Sequence, residues 1–423
     1  MRAKPSKTSS RNSLVMKPSR RSFLEAGLTL PVLLGASPSF ASAAQSYESG
    51  TSNDSSFDPW VEIHRENLRH NVQEISRRAA SRPILAVIKN NGYGMGVTNV
   101  SKLLEPQPEI FGFAVVKLHE AMSLRDAGIR KPILLLGPFD EHNLEDAVAR
   151  GIMPMIYTPL GLTLDKIAAK TQKPIPFHIC IDTGIGRVGV PYRDAVPLIR
   201  DLAARKSVQI QGTMMTFTED PDFDREQLRR FHEICASLEK EGIALGKKHA
   251  ASSFSLFQHP EAFLDMVRPG MAIYGIYSEN EFRRTSIMDL RPAISLKARV
   301  IYVKKLSKGD SAGYNRAYLA KEDVWVATLP VGHADGWPRA AALARDKGAK
   351  VRVNGDLYPV IASVSASHCI VEVGREERVK IGDVATFFDS QPGCRPEDVS
   401  ESCGASVYDL TMHLNPLLPR RII

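Results

Sequence analysis

The chain has 423 residues, 43% of them hydrophobic and 24% charged, with a formal net charge of +8. That composition is ordinary for a globular protein and long enough for two domains, and it excludes low-complexity and collagen-like chains. Seven basic residues and one acid precede residue 44, so the remainder carries about +2, and no basic patch argues for a nucleic-acid partner.

Arg2, Lys4, Lys7, Arg11, Lys17, Arg20 and Arg21 come before an apolar run from Ala26 to Ala36, the layout of an export signal. Ser19-Arg20-Arg21-Ser22-Phe23-Leu24 is similar to the twin-arginine export motif, and Ala41-Ser42-Ala43 supplies a small-residue cleavage site. The run is too short to span a bilayer core of about 30 Å as a helix. Residues 1–43 are therefore read as a signal peptide, which predicts periplasmic delivery and no membrane attachment after its removal. Residues 44–58 form a polar, Ser-rich leader.

Trp60–Ile63 reads as a short strand and Glu66–Ala80 as a helix. Short apolar runs then alternate with amphipathic stretches: Ile84–Ile88, Phe111–Val116, Ile133–Leu136, Met153–Tyr157, Pro176–Ile181, Val208–Met214 and Met271–Ile276. Between them lie helical patterns such as Val97–Leu104, Lys117–Ala127, Leu144–Ala149, Tyr192–Ala204 and Asp224–Glu241. This alternation predicts a parallel α/β barrel, TIM-like, over residues 59–290. From residue 291 the texture changes to strand-like runs, including Ile294–Val303, Val324–Leu329, Lys350–Val353 and Val384–Phe388, which predicts a β-rich C-terminal domain over 291–423. Cys180, Cys235, Cys369, Cys394 and Cys403 are too scattered for a disulfide scaffold and lack zinc-ligand spacing, so no metal is expected. An oxidising compartment permits one bridge, and Cys394 with Cys403 is the only pair close in sequence.

Lys89 ends the apolar run Ile84–Ile88, which places its amine at the mouth of a barrel strand, where active sites of this architecture lie. An amine there becomes nucleophilic when burial or a neighbouring cation lowers its pKa. On its own such a lysine is more often a surface side chain. The surrounding segment, Val87-Ile-Lys-Asn-Asn-Gly-Tyr-Gly-Met-Gly96, resembles the cofactor-lysine motif of alanine racemases. Four further segments resemble that family in order: Asp182–Gly189, Val267–Gly275, Tyr314–Tyr318 and Leu329–Arg339. Any one is weak, and together they are specific.

The resemblance implies a pyridoxal 5'-phosphate enzyme that racemises a small free amino acid, alanine first and others besides. It also implies a head-to-tail homodimer in which each site is completed by the other subunit's β domain. Racemisation needs a base on each face of the substrate's Cα. The resemblance assigns Lys89, which also carries the cofactor, to one face and Tyr314 of the partner subunit to the other. It places Tyr93, Ser253 and the amides of Gly270 and Met271 on the phosphate, Arg268 on the pyridine nitrogen and His249 beside Arg268. Arg187 falls near the phenolic oxygen, the amide of Ala366 on the substrate carboxylate, and Arg339 at the entrance.

Several family positions are filled differently. Cys180 stands where many members carry a carbamylated lysine, Thr216 replaces a histidine, Ser252 an asparagine, and His333 a tyrosine. Ala366-Ser367 replaces Met-Asp, and Pro416 aligns with a stretch whose tyrosine gates the site. Smaller groups there predict a wider pocket, although Val188 departs from the asparagine typical of broad-specificity members. A decarboxylase or aldolase on this fold is disfavoured by the Tyr314 motif. The remaining alternative is a catalytically impaired or repurposed cofactor-binding relative.

Overall fold

The computed structural model describes residues 56–342 and 348–423; the expected signal peptide and most of the leader lie outside the described residues. After β1 (Trp60–Ile63), a parallel sheet is built from β2 (Ile84–Val87), β3 (Ile110–Val115), β4 (Ile133–Leu135), β5 (Ile152–Ile156) and β6 (Ile175–Asp182). A two-residue β7 (Val190–Pro191) pairs with the end of β6, and β8 (Val208–Met214) and β9 (Lys247–His249) continue the sheet. Strands of this inner sheet are buried on both faces, as parallel strands flanked by crossover helices must be; all four residues of β2 and all five of β5 are buried.

The sheet closes without a regular eighth strand. Asp265 N–H donates to Lys248 O (3.0 Å) and Arg268 N–H to Ala251 O (2.8 Å) on one side. On the other, Leu85 N–H donates to Val267 O (2.9 Å) and Val87 N–H to Pro269 O (2.9 Å). Residues 265–269 therefore stand between β9 and β2 and complete the ring, confirming the α/β barrel. The expected strand Met271–Ile276 is instead a 3-10 turn over Met271–Tyr274. Its amides are diverted: Gly270 and Ala272 N–H both donate to Ser253 Oγ, at 3.0 and 3.1 Å, rather than to a ladder.

The C-terminal half is mainly β, as expected. β10 (Ile294–Arg299), β11 (Tyr302–Leu306), β14 (Val324–Leu329), β15 (Lys350–Val353), β16 (Asp356–Ile361), β17 (Cys369–Gly374), β18 (Val384–Phe388) and β19 (Arg420–Ile422) build one sheet in the order β11-β14-β17-β16-β15-β18-β10-β1-β19. β12 (Ser311–Ala312) and β13 (Tyr318–Leu319) pair separately. Strand β1, which the sequence reading grouped with the barrel, belongs to this second sheet. It runs antiparallel to β10 and parallel to β19, so both of its edges are satisfied there. The sequence also gave no sign of the helices Pro396–Cys403 and Val407–Met412 inside the β region. All five cysteines are buried and unbridged, Cys394 and Cys403 included. Among the described residues no helix is long and apolar enough to cross a membrane.

Asn71, on the helix Arg65–Arg78, ties the barrel to the segment leading into β10. Its amide donates to Ile273 O (3.1 Å) and Arg291 O (2.9 Å) and accepts from Arg291 N–H (2.8 Å), all in a fully buried position. Asn71→Ala strands three backbone groups at once, one buried and two part-buried. It should destabilise the chain by about 3 kcal/mol, read as a lower denaturant midpoint at unchanged slope.

Candidate active site

Lys89 follows β2 directly, and the next residues form a single left-handed turn: φ is +54° at Asn90, +56° at Asn91, +60° at Gly92 and +52° at Tyr93. Left-handed backbone costs L-residues roughly 1–2 kcal/mol each, least for asparagine and glycine, which supply three of the four positions. Glu120 offsets part of that cost. Its buried carboxylate accepts from Asn91 N–H (2.7 Å) and Lys117 N–H (3.2 Å), joining the loops that follow β2 and β3. The turn swings the Lys89 amine into the barrel mouth and sends the Tyr93 ring inward against Tyr274, centroids 4.8 Å apart. Burial lowers the Lys89 pKa, and repulsion from Arg187 and Arg268 lowers it further against a smaller opposing pull from Glu120. The result is an amine that loses its proton more readily than a surface lysine.

Arg268, at the end of the closing segment, is buried without any carboxylate. Nη1 donates to His249 Nδ1 (2.8 Å), and Nη2 donates to Met215 O (2.9 Å) and Thr216 Oγ1 (3.4 Å). Burial brings its pKa down to about 10, so it stays charged at neutral pH. Because arginine only donates, His249 must accept at Nδ1 and carry its proton on Nε2. That proton is donated to His178 Nδ1 at 2.9 Å, which in turn fixes the His178 proton on Nε2. Burial, then the Arg268 charge, holds both imidazoles neutral: His249 well below the ordinary value, His178 at about 4. The three side chains form a polarised relay with a guanidinium at one end and an N–H donor at the other. Sequence reading picked Arg268 and His249 but missed His178, whose place inside β6 reads as an ordinary core position.

The structure brings Tyr93, Ser253 and Gly270 together, with Met271 next in the chain, but the Gly270 amide expected on a phosphate is spent on Ser253. The Tyr93 hydroxyl lies so close over Gly270 that a Cβ at that position would overlap it. Ser253 Oγ accepts the Gly270 and Ala272 amides, which leaves its own proton to donate. Burial raises the Tyr93 pKa and keeps the phenol a neutral donor. Tyr408 is a second residue that sequence reading missed. It opens the helix Val407–Met412, couples electrostatically to Tyr93, and is pushed up to about 12 by burial and by Glu219 and Glu279. Pro416, eight residues on, is exposed, and Tyr408, itself 37% exposed, lies near enough to Tyr93 to act on it.

Cys180 points its thiol at Val188 O (3.6 Å) and, raised to about 11 mainly by burial, is neutral. Arg187 is exposed, yet near enough to act on Lys89 and Arg268. The remaining sequence candidates lie outside this buried cluster. Tyr314 is 72% exposed, and Ala366, Ser367, His333 and Arg339 are exposed as well. They share one face of the β domain: His333 N–H donates to Ser365 O (3.0 Å), Ala334 N–H to Ala366 O (2.9 Å), and Gly313 packs on Ala362.

A barrel with a half-buried lysine and a buried guanidinium that has no carboxylate partner among the described residues, followed by a β domain, defines a two-domain α/β enzyme class. The family model for the alanine racemase N-terminal domain matches residues 63–278, and that for the C-terminal domain matches 293–422. The chain belongs to the alanine racemase family. It is 33% identical to an alanine racemase of Desulforamulus reducens, covering 85% of this chain and 98% of the relative. Against one from Clostridium tetani it is 31% identical, covering 85% and 94%. Among solved structures, alanine racemase of Clostridium difficile 630 matches with a TM-score of 0.79 at 26% identity, covering 86% of this chain and 96% of that one.

The relay has a consequence for acid stability. The unfolded chain protonates His178 below about 6.5, whereas the folded chain resists until about 4, so between those values unfolding takes up protons. Folding stability should be intact above pH 6.5 and fall by roughly 3 kcal/mol on acidification to pH 4. Melting curves across that window should show the slope, to which neutral His249 adds, and His178→Asn should make it shallower; an unchanged slope in the variant would refute a neutral His178.

Proposed function

We propose that this chain is a pyridoxal 5'-phosphate-dependent amino-acid racemase, acting on alanine and on somewhat larger amino acids. Its working form would be a head-to-tail homodimer in which Tyr314 of one subunit completes the site around Lys89 of the other. The observation that carries this reading is the pairing of a pKa-depressed Lys89 with a buried Arg268 that has no carboxylate partner among the described residues and is held by neutral His249, itself bonded to neutral His178.

The residues present fit the cofactor. Tyr93, Ser253 and Tyr408 hydroxyls with the Met271 amide suit a phosphate, the Gly270 and Ala272 amides being spent on Ser253 Oγ, and Arg268 Nε–H, which none of its partners among the described residues uses, suits a ring nitrogen. When bound, the cofactor would supply the aldehyde and the electron-accepting ring that make a Cα proton labile. Because Arg268 does not give up its proton, the nitrogen it contacts stays unprotonated, which tempers that electron withdrawal.

Lys89, whose proton is held less tightly than a surface lysine's, takes or returns a proton on one face of the substrate. On the other face stands the partner's Tyr314. A tyrosine with a reference pKa of about 10 works as a base only where its phenolate is stabilised. The His178 Nε2–H at the end of the relay is the donor suited to that task, backed by the Arg268 charge through His249. The exposure of Tyr314 and Ala366 on one face fits residues that serve a neighbouring subunit. Export to the periplasm, supported by the Arg20-Arg21 motif and its apolar run, belongs to the same proposal. Cys180 favours a second reading: with a neutral thiol there, Arg187 receives no anion from that position, as in a binding protein with weak turnover.

Purified protein should be yellow, with the colour bleached by borohydride, and should incorporate solvent deuterium at Cα while L-alanine loses optical activity. Cofactor uptake without exchange would select the second reading, and colourless protein would defeat both. Lys89→Ala and Tyr314→Phe homodimers should each be inactive as racemases. Mixed and re-associated, they should recover about a quarter of wild-type activity, because half the dimers then hold one intact site. Absence of recovery at confirmed re-association would rule out the shared site.

A further inference from the structure

The turn that carries Lys89 is gripped by the far end of the same chain. Arg420, the first residue of β19, directs Nε (3.1 Å) and Nη2 (2.9 Å) onto one acceptor, Gly94 O. Its Nη1 donates to Asn415 O (2.8 Å) and Leu418 O (2.5 Å). Four of its five N–H groups are thus spent on carbonyls, and among the described residues it makes no ion pair. Burial brings its pKa down to about 10, so at neutral pH it is a charge desolvated for the sake of backbone contacts.

Gly94 is gripped from a second direction. It has φ +93°, and a Cβ there would collide with Thr411 O, so the helix Val407–Met412 lies directly on the turn. Asn90, next to Lys89, donates to Met412 Sδ at 3.3 Å. That helix also carries Tyr408 towards Tyr93. A surface salt bridge would not need this arrangement. A bidentate guanidinium on the carbonyl one residue after Tyr93 fixes the turn's position relative to the C-terminal segment.

We infer that Arg420 is a positioning residue for the cofactor site. Through Gly94 O it sets the left-handed turn bearing Lys89 and Tyr93, and through Asn415 and Leu418 it seats the segment bearing Tyr408 on that turn. This rests on the proposed use of the site for pyridoxal 5'-phosphate.

The test uses the full chain with Arg420→Gln and Arg420→Lys. Titration of apo-protein with pyridoxal 5'-phosphate should show affinity about tenfold weaker in Arg420→Gln and about threefold weaker in Arg420→Lys, which keeps the charge but loses the fork. Hydrogen exchange should accelerate at residues 89–96 and 407–415 in both variants, with the barrel strands β3–β6 unchanged. If Arg420→Gln does not fold, Arg420→Lys carries the same two measurements. Wild-type affinity in a folded variant, or acceleration spread evenly over the chain, would reduce Arg420 to a general stabilising residue and overturn the inference. If the wild-type chain takes up no cofactor, the functional proposal fails; localised exchange in the variants without cofactor uptake would still uphold the mechanical half.

Discussion

A guanidinium buried without a carboxylate is the constraint around which the site is organised. Removing Arg268 from water costs several kcal/mol, and its protein partners, a histidine, a carbonyl and a hydroxyl, return only dipoles. Burial and the Arg268 charge in turn hold its basic neighbours away from their protonated forms. His249 and His178 are held unprotonated, Cys180 is a thiol, and Lys89 is pressed towards its amine. Glu120, the carboxylate that acts on Lys89, is spent on two backbone amides, so the Arg268 charge is left without a carboxylate partner among the described residues. An anionic ligand relieves that deficit, which is why a phosphate-bearing cofactor and a phenolate base are compatible with the same few side chains.

That electrostatic arrangement requires backbone held in unfavourable conformations. The barrel places Lys89, His249 and Arg268 at the ends of neighbouring strands, but it does not aim them. Aim comes from the left-handed turn at 90–93, held by Glu120 on the barrel side, and from the closing segment 265–269, whose successors give their amides to Ser253 instead of to a sheet. Both are departures from regular structure, at the two places where side chains must converge. Strain of this kind persists only where surrounding contacts over-determine it.

The same departures mark the limit of what was legible in the sequence. Strands β2 to β5 are continuous apolar runs and could be read directly, as could β6 and β8, where apolar residues are interspersed with polar ones. β9 is Lys247-Lys248-His249, three polar residues with no run to detect, and the eighth position of the ring is an irregular segment held by single hydrogen bonds. Met271–Ile276 has strand composition because it is buried, not because it is paired, and burial alone cannot separate the two. Trp60–Ile63 was legible as a strand but not as a member of the distant sheet, since its partners lie more than 200 residues away. Among site residues, those inside dense motifs were found. His178 and Tyr408 were not, because a lone histidine in a β-strand and a lone tyrosine at a helix start carry no local chemical signal.

Cys180 shows how a single departure propagates through such a site. An anion at that position would pair with Arg187, draw its field away from Lys89 and raise the amine's pKa. A buried neutral thiol does none of this, so Arg187 remains among the causes that depress Lys89. Loss of the anion therefore has two opposing effects: Arg187 is held less firmly, and Lys89 is freer to act as a base. Selection on turnover can tolerate the first if the second is gained, and the smaller groups at Ala366 and Ser367, exposed on the face that carries Tyr314, change sterics without touching this charge balance. Charge in the barrel and shape on the β domain are thus set by separate residues, and each can vary while the Arg268 relay stays fixed.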